Sequence, residues 1–147
     1  MKLLIINGPN LQLLGTREPE IYGTLTLDQI NAQLKKTAAN LKGVSLEFFQ
    51  SNHEGDILDK IGTSRQDKID GIILNPAAFS HTSYAIYDAV KASATPVIEV
   101  HLSNIYNRED FRKHSITAAA ALGVISGLGV KSYECAIFFL ADYIKNL

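Results

Sequence analysis

Cysteine, tryptophan and methionine are almost absent from this sequence of 147 residues, which has one Cys, one Met and no Trp. A single cysteine excludes an internal disulfide and the paired-cysteine motifs of zinc and redox sites. Cys135 lies among alanine, isoleucine and phenylalanine residues, which predicts a buried core thiol rather than a nucleophile.

An excess of charge of either sign is also absent, since 14 Lys and Arg residues stand against 15 Asp and Glu residues. Without a basic stripe that could neutralise phosphates, no nucleic-acid partner is expected. The longest apolar-rich stretch without charge, residues 118–130, is interrupted by Gly and Ser and is too short to cross a bilayer, so no membrane partner is expected. The N-terminus lacks the zones of a signal peptide, which favours a cytoplasmic location.

Several short functional motifs are missing as well. The sequence has no Gly-x-Gly-x-x-Gly after its first apolar run, no P-loop, no His-Glu-x-x-His and no Gly-x-Ser-x-Gly. Dinucleotide binding, P-loop phosphate binding, common zinc hydrolysis and serine hydrolysis therefore lack their sequence signals.

Apolar runs of strand length alternate with helical periodicity along the chain. Most runs are continuous, as in parallel strands covered on both faces. Strands are predicted at residues 3–6, 44–49, 71–74, 96–100 and 120–125, and helices around residues 27–41, 57–61, 85–90 and 133–144. Thr26 and Gln29 have the spacing of a capping box. One α/β domain over residues 1–147 is expected, a flavodoxin-like doubly wound five-stranded parallel sheet of order 2-1-3-4-5.

The connection between the first strand and the first long helix, residues 7–24, is unusually long. Such connections usually have about 2 to 6 residues, and longer ones are either functional or disordered. Its leucines can dock on the core, which favours function over disorder. Because it also carries Arg17 and Tyr22, it is predicted to be a lid that brings a cation and a phenol to a pocket.

Polar residues follow the strands at their carboxyl ends, where ligands bind in sheets of this kind. They follow the first, third and fourth predicted strands, and they include Asn10, Asn75, His81, Ser103 and Arg112. Asn is also an ordinary turn residue, so only the convergence of these side chains on one edge argues for ligand binding.

Glu99 and His101 are two apart on a predicted strand, so both side chains point to the same side. The carboxylate can then orient the imidazole and favour its protonated form, as a general acid requires. A satisfied ion pair explains the two residues about as well, but charged groups in an apolar strand are costly, which favours a function. Spacing also leaves open a metal held by His81, His101 and Glu99, although a further ligand is not obvious.

Arg17 and Tyr22 form the second pair of candidates. A guanidinium beside a phenol favours the phenolate, so Tyr22 could act as a base. Packing and solvent contact are the simpler interpretation of two such residues in a loop.

Three segments of the sequence carry a family resemblance. They are NGPNLQLLGTREPEIYG at residues 7–23, NPAAFSHTS at residues 75–83, and IEVHLSN at residues 98–104 followed by REDFR at residues 108–112. Together they resemble the type II 3-dehydroquinate dehydratases, nearly end to end. The resemblance implies a hydro-lyase of the shikimate pathway of aromatic amino acid biosynthesis. It would remove water from 3-dehydroquinate by trans elimination through an enolate, giving 3-dehydroshikimate, without metal or organic cofactor.

The resemblance also implies roles for individual residues. Tyr22 corresponds to the base that removes a proton beside the ketone, and Arg17 to the lid residue that stabilises the phenolate and the developing charge. Asn10 corresponds to the residue that holds a water against the enolate oxygen. His101 corresponds to the acid that protonates the leaving hydroxyl, with Glu99 orienting it.

Substrate binding is implied for a second group of residues. Asn75 and the backbone N–H groups of Leu102 and Ser103 would bind the carboxylate, and His81 and Arg112 would bind ring hydroxyls.

The resemblance further implies trimers packed into a homododecamer, with Asp88 reaching a neighbouring subunit's site. A solvated helix carboxylate is the simpler interpretation of Asp88. The alternative for the whole chain is a non-catalytic flavodoxin-like binding or signalling module, which would leave the paired residues above without a role.

Overall fold

Five parallel strands form a central sheet that helices cover on both faces. The computed structural model describes residues 1–147, and the strands are β1 (Lys2–Asn7), β2 (Ser45–Gln50), β3 (Gly71–Asn75), β4 (Val97–His101) and β5 (Gly123–Ser126). They lie in the order β2-β1-β3-β4-β5, and every neighbouring pair is parallel. This arrangement confirms the predicted order 2-1-3-4-5.

Four α-helices and several short 3-10 helices lie between the strands, and a fifth α-helix follows the last strand. The α-helices are α1 (Pro19–Tyr22), α2 (Leu27–Ala39), α3 (Glu54–Gly62), α4 (Tyr84–Ser93) and α5 (Lys131–Lys145). The predicted capping box starts α2: the Gln29 N–H donates to the Thr26 hydroxyl at 3.2 Å, and the Thr26 N–H donates to Gln29 Oε1 at 2.9 Å. Two otherwise unpaired N–H groups are thereby satisfied. No helix is both long enough and apolar enough to cross a membrane.

The two faces of the sheet are covered by different helices. Leu3 and Ile5 of β1 pack into one apolar cluster with α2 and α5, whereas Leu4 and Ile6 pack into the other with α3 and α4. Successive side chains of a strand point to opposite faces, so a strand covered on both sides must be apolar at every position. The continuous apolar runs of the sequence have this cause.

The beginning of the fifth strand differs from the prediction. Residues 120–125 were expected to be extended, but Thr117–Ala120 forms a 3-10 helix and the strand starts at Gly123. Alanine has a low preference for strands, and Ala120 and Ala121 instead pack against the apolar cluster between the sheet and helices α3 and α4.

Cys135 is exposed, so the prediction of a buried thiol was wrong. The buried positions of α5 include Tyr133, Ala136, Ile137 and Leu140, and position 135 lies on the opposite side of the helix. Phe138 and Phe139 are also about half exposed. The apolar neighbours of Cys135 therefore do not report which face of the helix is buried.

Candidate active site

A cavity of about 80 Å³ opens at the carboxyl ends of β1, β3 and β4. Its walls come from the long loop after β1, from the segment after β3 and from the segment after β4. The cavity brings together nine of the sequence-predicted residues: Asn10, Arg17, Tyr22, Asn75, His81, His101, Leu102, Ser103 and Arg112.

The loop after β1 is ordered by local helices and by contacts with the core. A 3-10 helix covers Leu11–Leu13, and α1 ends at Tyr22. Leu11 and Leu14 are buried in the cluster under α2 and α5, which confirms that the loop docks on the core. Asn10 has a φ of 67°, a left-handed conformation that asparagine tolerates better than most residues, and its N–H donates to Asn52 Oδ1 at 3.0 Å.

Two arginines flank the phenol of Tyr22. Arg108 Nη1 donates to the Tyr22 hydroxyl oxygen at 2.7 Å. The guanidinium carbons of Arg17 and Arg108 each lie 5.1 Å from the centroid of the Tyr22 ring. The sequence pairs Tyr22 with Arg17, but the direct hydrogen bond comes from Arg108. Arg108 follows β4 and lies in a segment that carries the family resemblance, but its spacing from Tyr22 does not predict their contact.

Glu99 lies beneath the cavity, fully buried, and holds the ring of His101. His101 Nε2 and Glu99 Oε1 are 2.7 Å apart, as the spacing on the strand predicts. Two hydroxyls also donate hydrogen bonds to this carboxylate: Ser115 donates to Oε1 at 2.7 Å, and Thr117 donates to Oε2. Ser115 and Thr117 were not predicted from the sequence, because a hydroxyl 16 or 18 residues further along the chain has no recognisable spacing.

This arrangement fixes the orientation of the His101 imidazole. We assign the proton to Nε2, because a buried carboxylate with two other donors accepts from it. Nδ1 is then the nitrogen available to a ligand. Three donors thus satisfy the buried carboxylate of Glu99.

His81 and Arg112 form another wall of the cavity. His81 Nδ1 lies 2.9 Å from the carbonyl oxygen of His114, which only accepts, so we assign a proton to Nδ1. Arg112 Nε donates to Glu109 Oε2 at 2.8 Å. The backbone N–H of Glu109 and the Arg112 side chain hold the pKa of the Glu109 carboxyl below its ordinary value. The His81 and Arg112 side chains both contact the ring of Phe111.

The charged side chains that line the cavity are all basic. Three arginines and two histidines are among its lining residues, and no Asp or Glu is. Such a lining attracts a small anion and repels a cation. Glu99 lies behind the ring of His101 and does not line the cavity.

Two features considered from the sequence are not found at the cavity of one chain: Asp88 and the metal site that spacing leaves open. Asp88 is an exposed residue of α4 and is not part of the cavity wall. No group of three or more His, Cys, Asp and Glu side chains is placed to hold a metal ion, so His81, His101 and Glu99 do not form such a cluster.

Comparisons with known proteins agree over nearly the whole chain. The family described as Dehydroquinase class II matches residues 1–141. The chain is 54% identical to a 3-dehydroquinate dehydratase of Aliarcobacter butzleri (strain RM4018), covering 100% of this chain and 88% of the relative. It is 53% identical to a 3-dehydroquinate dehydratase of Geotalea daltonii (strain DSM 22248 / JCM 15807 / FRC-32), covering 99% of this chain and 100% of the relative.

A solved structure agrees as well. The crystal structure of a type II dehydroquinase from Butyrivibrio crossotus DSM 2876 has a TM-score of 0.93 and 44% sequence identity, covering 95% of this chain and 97% of that chain. Sequence, fold and the loop-covered cavity at the strand ends lead to one assignment. The chain belongs to the class II dehydroquinase family.

Proposed function

We propose that this chain is a hydro-lyase that converts 3-dehydroquinate to 3-dehydroshikimate, with Tyr22 as base and His101 as acid. One observation carries the assignment of roles: an arginine-bound phenol and a carboxylate-bound imidazole line the same small cationic cavity. Elimination of water needs a base, an acid and a site that stabilises the charge between them. The cavity holds candidates for all three.

The first step is removal of a proton from the carbon beside the ketone. Tyr22 accepts that proton as phenolate. The electron pair of the broken C–H bond forms a C=C bond to the carbonyl carbon, and the carbonyl π pair moves to the ketone oxygen to give an enolate. Arg108 donates directly to the phenolic oxygen, while Arg17 lies over the ring. Both cations favour the charged form of the phenol, and a charge-assisted bond of this length is stronger than a neutral one.

The enolate oxygen is stabilised through Asn10. Its side chain would hold a water against the developing charge, in the position that the family resemblance gives it. Asn10 lies in the cavity wall together with Arg17. A fixed dipole and a cation at the point where negative charge develops lower the barrier without reorganisation.

The second step expels the hydroxyl group. His101 donates a proton to the leaving oxygen, and the enolate electrons form the new double bond, so water leaves and the ring is conjugated. Glu99 stabilises the imidazolium that donates this proton. No lysine lines the cavity, so the elimination does not pass through a Schiff base there.

Substrate orientation is assigned to the remaining wall residues. Asn75 and the backbone N–H groups of Leu102 and Ser103 would bind the carboxylate, and His81 and Arg112 would bind ring hydroxyls. All five residues line the cavity, and its cationic lining suits a carboxylate.

We also propose a cytoplasmic homododecamer built from trimers, acting in aromatic amino acid biosynthesis. Exposed apolar side chains support self-association: Val124 on the edge strand β5, and Phe138 and Phe139 on α5, are 42–50% exposed. Asp88, which lies outside its own cavity, would complete the site of a neighbouring subunit.

The test is direct. Purified protein is added to 3-dehydroquinate, and the conjugated product is followed by ultraviolet absorbance. Tyr22→Phe should lower kcat by several orders of magnitude while substrate binding persists, because only the proton acceptor is lost. An inactive wild-type protein would contradict the activity and favour a binding module. Near-normal turnover by Tyr22→Phe would contradict only the role of the base.

A further inference from the structure

The side chain of Asn75 is held from behind by a tyrosine that does not reach the cavity. Tyr133 of α5 is 1% exposed; its hydroxyl accepts from Asn75 Nδ2 at 2.8 Å and donates to Asn7 Oδ1 at 2.6 Å. On its other side, Asn75 Oδ1 accepts from the Ala77 N–H at 3.2 Å. Neither Tyr133 nor Asn7 lines the cavity, whereas Asn75 does.

The donor and acceptor of each of these hydrogen bonds follow from the Ala77 N–H. A backbone N–H can only donate, so the atom of Asn75 that meets it must be the amide oxygen. The amide nitrogen of Asn75 then faces Tyr133, whose oxygen accepts. The hydroxyl has one proton, which must point to Asn7. Reversing the Asn75 amide would place two donors against each other at Ala77.

Tyr133 keeps its proton because its surroundings disfavour the phenolate. Burial raises the pKa of the Tyr133 phenol above its ordinary value, and the hydrogen bond from Asn75 lowers it only in part. The hydroxyl can therefore donate to Asn7 and accept from Asn75 throughout the working range of an enzyme.

The consequence is a defined polarity at the cavity wall. The Asn75 amide nitrogen has two protons, and Tyr133 takes one. The second proton has no acceptor within the chain. Asn75 lies in the cavity wall, which also contains three arginines. An N–H donor at this point matches an anionic oxygen, whereas a carbonyl oxygen would repel it.

We infer that Tyr133 is a positioning residue for substrate binding, which together with Asn7 holds the Asn75 amide in the orientation that the Ala77 N–H sets, so that the amide presents an N–H to the substrate carboxylate. The inference deepens the proposed function, because it assumes that the carboxylate of 3-dehydroquinate binds at Asn75. The carboxylate does not react, so the hydroxyl of Tyr133 contributes to binding in the ground and transition states alike.

The experiment compares Tyr133→Phe with the wild-type protein in the ultraviolet assay. KM should rise about tenfold and kcat should stay within about threefold, as expected when one hydrogen bond used for uniform binding is lost. Tyr143→Phe is the matched control, since Tyr143 lies on the same helix and stacks on Phe139 away from the cavity. A purely structural role would reduce the melting temperature or the active fraction without raising KM.

A double variant identifies the residue through which Tyr133 acts. In an Asn75→Ala background, Tyr133→Phe should cause no further rise in KM, because the amide that it positions is gone. An equal rise in both backgrounds would overturn the inference, as would an unchanged KM in the single variant.

Asn7→Ala gives an independent measurement if Tyr133→Phe fails to fold. This variant keeps the tyrosine but removes the acceptor of its proton, which can then turn towards the Asn75 amide. The same rise in KM is expected, and an unchanged KM would overturn the inference. Wild-type turnover is measured first: its absence contradicts the proposed function, whereas turnover with an unchanged KM in the variants contradicts only the role of Tyr133.

Discussion

The two hydroxyls that bind Glu99 should differ in how much they stabilise the protein. Oε1 of Glu99 has two donors, His101 and Ser115, whereas Oε2 has only the Thr117 hydroxyl. Thr117→Val keeps the shape of the side chain and leaves Oε2 with no donor. Ser115→Ala leaves Oε1 with the bond from His101. We therefore expect Thr117→Val to be the more destabilising substitution.

The magnitude follows from the burial of Glu99, which has no exposed surface. A hydrogen bond to a charged group contributes about 1.5–3 kcal/mol, and a buried charge that loses its only donor at one oxygen should fall at the upper end. We expect Thr117→Val to lower the free energy of unfolding by about 2–3 kcal/mol. Ser115→Ala keeps the His101 bond at Oε1 but also removes the acceptor of the Ala118 N–H, and we expect it to cost about 1.5 kcal/mol. In a chain of this size, 1 kcal/mol corresponds to about 2–4 °C in Tm.

Thermal unfolding at fixed protein concentration and neutral pH measures the difference. Thr63→Val is the control, because Thr63 is half-buried and its hydroxyl contacts the exposed carboxylate of Asp67 rather than a buried charge, so its Tm should hardly change. kcat should also fall more in Thr117→Val than in Ser115→Ala, since Glu99 orients His101. Equal Tm values for Thr117→Val and the wild type would refute the reasoning, as would a larger loss in Ser115→Ala.

Three further predictions concern the arginines, the assembly and acid stability. Arg108→Gln should lower kcat about tenfold to a hundredfold at neutral pH, because a charge-assisted bond to the Tyr22 oxygen is lost; unchanged turnover would show that Arg17 alone suffices. Asp88→Asn should raise KM without lowering Tm, and fully active monomers in sedimentation would contradict this. Burial raises the pKa of the Glu134 carboxyl, but hydrogen bonds from Lys131 and Gln33 lower it by more, so its pKa is below the ordinary value. The resulting stabilisation is complete above the ordinary pKa of a glutamate and is lost as the pH falls through the lowered pKa of the folded state, so Glu134→Gln should unfold with a shallower dependence on acid pH; identical acid unfolding curves would contradict this.

The positions of the first four strands and the contact between Glu99 and His101 could be predicted because they depend on local periodicity. A continuous apolar run reports burial on both faces, and two residues on one strand share a side whatever surrounds them. The capping box of α2 is local in the same sense.

The partner of Tyr22 could not be predicted, because it depends on how two loops 86 residues apart meet in space. Arg17 is close to Tyr22 in sequence, but closeness in sequence does not decide which guanidinium reaches the hydroxyl. The same limit applies to Thr117 and to Tyr133, because their hydrogen-bond partners lie on strands that are distant in sequence. At Cys135 the apolar neighbours were misleading, since α5 carries apolar residues on its exposed face as well as on its buried one.

The bond between Arg108 and Tyr22 joins a residue of the long loop to a residue outside it. Arg17 travels with Tyr22 because both belong to the loop, whereas Arg108 stays with the segment after β4. Any outward movement of the loop must break the hydrogen bond to the phenol, while the contact with Arg17 can persist. One guanidinium therefore both holds the loop against the rest of the site and donates to the phenol. In the proposed reaction, Tyr22 would have this donor only while the loop encloses the substrate, and it would lose the donor whenever the loop opens to water.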